Sequence, residues 1–212
     1  MYFDHKIAEK ILPQTLQMPH GIREHEPRRK RWTREECDHL RDAGDLTGRY
    51  ELIDGDIIDK MGQKPPHAST IVLLTAWLSS VFGNNFLRFQ MPIRVSVEDD
   101  RYNEPEPDAA VLNKPMNAFF AEHPKPEDVA LVVEVSDATR KFDGEIKASL
   151  YARAGIVEYW LIDINSRQVI VHRSPKDGSY QNILAYNSLE SVSTLALPEE
   201  KVQVDELIPK QE

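Results

Sequence analysis

Residues 129–135 read Val-Ala-Leu-Val-Val-Glu-Val, six apolar side chains around one acid. Such a run is a central strand covered on both faces, and it demands a sheet with further layers packed against it. Glu134 is its informative member, because an ionised carboxylate in so apolar a strand is costly unless a cation or several hydrogen bonds meet it. Its place near the strand's C-terminal end matters too, since ligand sites of α/β sheets gather there. Two plainer readings stay open at this point: a Glu that turns to solvent as the strand ends, or one that pairs with an arginine.

A second acid strengthens the first. In Glu104-Pro105-Glu106-Pro107-Asp108-Ala109-Ala110-Val111-Leu112 a proline-rich turn delivers Asp108 to the start of an apolar strand, and Pro107 holds the approach extended. If strands 108–112 and 129–135 are neighbours, both carboxylates converge on one cation. The helix expected over about 142–154 adds a third group. Phe142, Ile146 and Leu150 recur every four residues and should face the core, while Lys147 and Tyr151 share the adjacent stripe bordering the sheet's end. A lysine there stabilises charge on a phosphate or steers a water; the alternative is a surface lysine beside a half-buried tyrosine.

The remaining elements follow from caps, turns and periodicity. Thr33 and Glu36 match a capping box opening a helix that runs to about Ala43, with Gly44 ending it. Asp54-Gly55 between two apolar runs predicts a tight hairpin over residues 50–58. A second helix is expected from about 66 to 82, with Ile71, Leu74, Leu78 and Phe82 on its buried stripe and Gly83 at its end. Extended stretches are expected at 86–91, 93–97 and 108–112, with a loop over Glu98–Pro107. After the long connection 113–128 and the third helix, strands are expected at 159–164 and 169–172, and the weakly alternating tail suggests two edge strands. No internal repeat or low-complexity tract is visible. The order implies an α/β fold: a mixed β-sheet flanked by helices.

The 212 residues fit one domain over 32–212 after a leader, 1–31, punctuated by Pro13, Pro19, Gly21 and Pro27. The leader lacks the layout of a signal peptide, no run is long and apolar enough for a membrane span, and the single cysteine, Cys37, forms no internal disulfide. A reducing, cytoplasmic setting is the expectation, with Cys37 structural. Five basic residues in Arg28–Arg34 surround Trp32, which reads either as a solvated helix flank or as a nucleic-acid contact with Trp32 available for stacking. The net charge of −9, from 26 basic and 35 acidic residues, counts against an efficient stand-alone duplex binder but not against a metal site, which concentrates carboxylates.

The string Pro107-Asp108, Val133-Glu134-Val135-Ser136, Thr139, Asp143, Lys147, Tyr151-Ala152, Ala154-Gly155 and Glu158-Tyr159-Trp160 resembles the Uma-two family. Tyr50-Glu51-Leu52-Ile53-Asp54-Gly55 and His67 match that family's N-terminal motif, so the resemblance covers about residues 32–208. It implies a restriction-endonuclease-like fold of the PD-(D/E)xK nuclease superfamily. It further implies that Asp108 and Glu134 ligate Mg²⁺ or Mn²⁺ with the Val135 carbonyl, that Glu51 is an additional acid, and that DNA is the substrate. Asp143, Tyr151 and His67 are expected in support, His67 as ligand or proton carrier against the plainer reading of a helix-cap or packing histidine. Ser136 stands where the superfamily pattern has lysine, and Lys147 from the following helix is the natural replacement. A homodimer fits the resemblance, because two-strand cleavage by this fold often uses two sites. The competing expectation is a catalytically weak or inactive nuclease fold acting as a binding or regulatory module.

Overall fold

The computed structural model describes residues 29–60 and 62–210; most of the leader lies outside this range, as does Arg28. Helix α1 (Arg34–Ala43) starts where the capping box predicts, with Thr33 accepting from the Glu36 N–H and the Glu36 side chain accepting from the Thr33 N–H. Gly44 ends it in the left-handed conformation. Strands β1 (Tyr50–Ile53) and β2 (Asp56–Asp59) form the expected hairpin. Asp54 and Gly55 both have positive φ, 49° and 84°, as a tight hairpin turn of right-handed twist requires. A Cβ on Gly55 would sit 2.7 Å from the Arg31 Cβ, so the turn also depends on glycine for space.

Helix α2 (Pro65–Phe82) buries Leu74 and Leu78, with Ile71 and Phe82 packed at the margin of the same cluster. Then come β3 (Leu87–Arg88), β4 (Ala109–Leu112) and β5 (Val129–Ser136). A π-helical turn over Phe142–Lys147 runs into α3 (Ala148–Ala154). Strands β6 (Glu158–Asp163), β7 (Gln168–Lys176) and β8 (Ser179–Asn187) complete a six-stranded mixed sheet of order β3-β4-β5-β6-β7-β8. Among the described residues only β5 and β6 pair in parallel, joined by the crossover through α3. Strands β9 (Ser191–Ser193) and β10 (Lys201–Gln203) make a separate ribbon before the short α4 (Val204–Leu207).

The central position of β5 follows from its sequence, since both faces are covered. Leu131, Val133 and Val135 join Trp160, Ile162 and α2 on one side, where the Trp77 and Trp160 rings stack 5.6 Å apart. Val132 joins Ala110, Tyr159, Leu161 and α3 on the other. The β1–β2 hairpin packs onto α3 through Ile53 and Leu150, and onto α1 through Leu52 and Cys37, which is buried and structural.

Four sequence expectations need correction. The stretch 86–91 shrinks to Leu87–Arg88, and 93–97 is no strand. Gln90 adopts φ 50° and Pro92 has no N–H to give a ladder, so Ile93 and Arg94 donate instead to the Pro105 and Pro124 carbonyls. Ile146 is 42% exposed rather than in the core, because the π-helical turn adds a residue and rotates Lys147 inward in its place. In the tail, β8 edges the main sheet while β9 and β10 stand apart from it. Among the described residues no helix is long and apolar enough to cross a membrane.

Candidate active site

The β4–β5 register pairs Ala109 with Val133 and Ala110 with Val132. Continued by one residue, it sets Asp108 opposite Glu134, and directly opposed residues of antiparallel strands project from the same face. Alternation from Val132 puts that face toward α3. Asp108 is locked to the strand end by the Val135 N–H, which donates to its Oδ2 at 2.9 Å. The Nε2 of His67, in the first turn of α2, lies 3.2 Å from the same oxygen. His67 is therefore the partner of a site carboxylate and caps no helix.

Three other elements deliver groups to Glu134. Lys147 Nζ donates to Glu134 Oε1 at 2.9 Å and to Glu51 Oε1 at 2.8 Å. The Tyr151 hydroxyl donates to Glu134 Oε1 at 2.6 Å. Glu51, on β1, also accepts the Glu106 N–H at 2.7 Å. Glu134 thus neither turns to solvent nor pairs with arginine, and Lys147 is no surface residue. Ser136, two residues along the same face, is fully buried with its Oγ 3.4 Å from Thr139 Oγ1. The ammonium beside Glu134 is that of Lys147, on the π-helical turn. Asp143 is held by the Thr139 hydroxyl, and the Tyr159 hydroxyl donates to its carbonyl at 3.1 Å.

Electrostatics unify these contacts. Glu51, Asp108, Glu134, Asp143 and Lys147 are all buried, 3–6% exposed. Four buried carboxylates therefore surround one buried ammonium, with the less buried Lys60 3.7 Å from Glu51 and His67 3.2 Å from Asp108. Burial pushes the Glu134 carboxyl up from its ordinary range; Lys147 opposes the shift, while Glu51, Asp108 and Asp143 add to it. Burial likewise raises Asp143, against the pull of Lys147. Burial works against the charge on Lys147, yet Glu134, Glu51 and Asp143 more than offset it and hold the amine firmly protonated. For Asp108 burial opposes ionisation, but His67, the Val135 N–H and Lys147 outweigh it and keep the carboxyl below its usual range. Burial also opposes protonation of His67, but contact with Asp108 raises its pKa overall.

Lys60, Glu106 and Gln90 border the site although no sequence signal marked them. Lys60 Nζ donates to the Glu106 carbonyl at 2.6 Å and lies 3.7 Å from Glu51. Gln90 Nε2 is 3.5 Å from Asp108 Oδ1. All three reach the site from hairpin ends or loops, where side-chain direction follows no period. Of the basic run, Arg31, Trp32 and Arg34 are engaged within the fold. Arg31 donates to the Asp54 carbonyl at 3.0 Å and lies over the Tyr102 ring, Arg34 pairs with Asp100 at 2.7 Å, and Trp32 packs against Cys37, Tyr50 and Leu52.

The donor set suits a hard divalent ion. Two carboxylates from adjacent strands lie on one face, with an excess of negative charge around them. Among the described residues no group of three or more His, Cys, Asp or Glu side chains is arranged to hold a metal, so any further ligands would be backbone oxygen and water, as Mg²⁺ accepts.

Comparison with known proteins agrees with the fold. The chain resembles the crystal structure of a "putative nuclease belonging to DUF820" from Anabaena variabilis ATCC 29413, with TM-score 0.57 and 17% identity over 79% of this chain and 96% of that one. No curated protein matches the chain. The model of the Uma2 (Uma-two) family, described as "Putative restriction endonuclease", matches residues 35–205. That span takes in every site residue named above, and the chain belongs to the Uma2 family.

Proposed function

We propose that this chain is a divalent-cation-dependent nuclease hydrolysing phosphodiester bonds of DNA, with Asp108 and Glu134 as cation ligands beside the Val135 carbonyl. The observation that carries the reading is the carboxylate excess: four buried acids around one buried ammonium, with Lys60 and His67 at the margin, and two of the acids opposed across β4 and β5. Such an excess must be met by protons or by a cation. A bound Mg²⁺ or Mn²⁺ supplies Lewis-acid polarisation of the phosphoryl group and lowers the pKa of a water. Lys147 has three N–H donors, two of them engaged by Glu51 and Glu134. Its Nζ also lies 2.8 Å from the second Glu51 oxygen, and with Glu134 given over to the cation it would orient water or meet charge developing on the phosphate. With Glu134 and Asp108 holding the cation, Glu51 would keep Lys147 in place and Tyr151 would orient the Glu134 carboxylate. His67 and the Val135 N–H aim Asp108.

Plasmid cleavage with Mn²⁺ or Mg²⁺ tests the proposal. Asp108→Ala should cut at least about a hundredfold more slowly than the wild type. An Asp108→Ala protein as fast as the wild type would refute the assignment. A second reading, a non-catalytic module, draws on the Lys147 ammonium already standing between Glu51 and Glu134 as an internal counter-ion. Calorimetry separates the two, because failure to bind any divalent ion at millimolar levels favours the module.

A further inference from the structure

The two edges of the sheet differ. One edge, β3, is two residues long and offers almost nothing to pair with. The other, β8, is nine residues, Ser-Tyr-Gln-Asn-Ile-Leu-Ala-Tyr-Asn, and among the described residues no strand pairs along its outer side. Natural edge strands are usually blunted by brevity, lysine, proline or a bulge. β8 has none of these: it carries no charge, proline or glycine, and it leaves Ile183 and Leu184 55% and 50% exposed.

We propose that the outer edge of β8 is an interface at which a second copy of this chain pairs antiparallel, strand to identical strand, about a two-fold axis. Charge selects this occupant. At a net charge of −9 two copies repel over most of their surfaces, whereas an uncharged strand set against itself meets no like charge at any opposed position. The pairing is also self-complementary. With the axis through Ile183 the ladder runs from Tyr180 to Tyr186, because Glu190 already takes the Asn187 N–H and carbonyl: Tyr180 meets Tyr186, Gln181 meets Ala185, Asn182 meets Leu184, and Ile183 meets its own copy. A seven-residue antiparallel ladder yields about seven backbone hydrogen bonds, within the roughly five to fifteen of an ordinary protein interface. An isologous contact of this kind closes at two copies instead of propagating a filament. Because β8 lies three strands from β5, about 14 Å at ordinary strand spacing, the interface is independent of the carboxylate site and does not rest on the nuclease reading.

Sedimentation of the full chain from about 1 to 100 µM, a range that resolves micromolar dimers, tests the proposal. The wild type is expected to pass to a dimer, and I183K/L184K to weaken the association at least about tenfold by setting like charges across the ladder. Both positions are exposed, so the variant should keep the wild-type thermal midpoint. Hydrogen exchange on the wild type gives a second readout that needs no mutation: β8 amide protection should rise with concentration. A wild type that stays monomeric throughout, a dimer that I183K/L184K leaves unchanged, or β8 amides fully protected in a monomer would each overturn it.

Discussion

At Lys147 one ammonium answers Glu134 and Glu51 together, so its loss should be felt first as stability. Lys147→Met leaves buried carboxylates without their counter-charge, and the metal-free protein should lose about 3 kcal/mol in urea unfolding; an unchanged midpoint would contradict the buried pairing. The pH response has a definite sign. Glu134 and Asp143 have pKa values raised on folding. The stability they contribute is present below the ordinary carboxylate pKa and is lost as pH rises through their folded values. The metal-free wild type should therefore weaken as pH climbs above the ordinary carboxylate range, and Glu134→Gln should flatten that slope in thermal melts across pH. Asp108, Glu134 and Lys147 were legible because each broke a local pattern: an acid after proline, an acid in an apolar strand, a lysine four residues from a tyrosine. Gln90, Lys60 and Glu106 broke none, and only the folded chain brings them to the site.

Elements held by local chemistry were the readable ones. The α1 capping box and the Asp54-Gly55 turn lie where the sequence sets them, because each is decided within a few residues. Thr33→Ala should cost about 1 kcal/mol by leaving an α1 N–H without its cap; thermal unfolding that shows no loss would mean the cap contributes nothing to the fold. Strand β5 was readable for the opposite reason, since burial on both faces leaves an unbroken apolar run. The turn over Phe142–Lys147 was not, because reading it at helical spacing presumes a period that a π-helical turn breaks. Ile146 consequently faces outward, yet Lys147 and Tyr151 keep their common face because α3 is regular between them. The stretch 93–97 differs from its apolar pattern because Ile93 and Val95 fill the core without a ladder, with backbone partners coming from loops, while Val97 is exposed.

Across the whole molecule the net charge of −9 and the carboxylate cluster act together. An acidic surface makes few lysine or arginine contacts to phosphate, so plasmid cleavage rates should fall only shallowly with added salt, and binding of the ion at a buried site should respond less still; a steep loss of cleavage between low and moderate salt would contradict this. The fold class was legible from element order, since a two-sided strand, a crossover helix and flanking hairpins leave few alternatives to a mixed sheet with helices on both faces. The β8 edge was not, because an exposed strand alternates weakly and its pairing depends on what lies beside it. The central claim, that Asp108 and Glu134 hold a divalent ion, is tested most directly by calorimetric titration of Mn²⁺ into the wild type and Glu134→Ala, in buffers of different ionisation enthalpy and at several pH values. The account predicts one site per chain in the wild type, affinity rising with pH, proton release on binding and loss of the site in Glu134→Ala. Equal Mn²⁺ affinity in the two proteins, with no proton released, would contradict it.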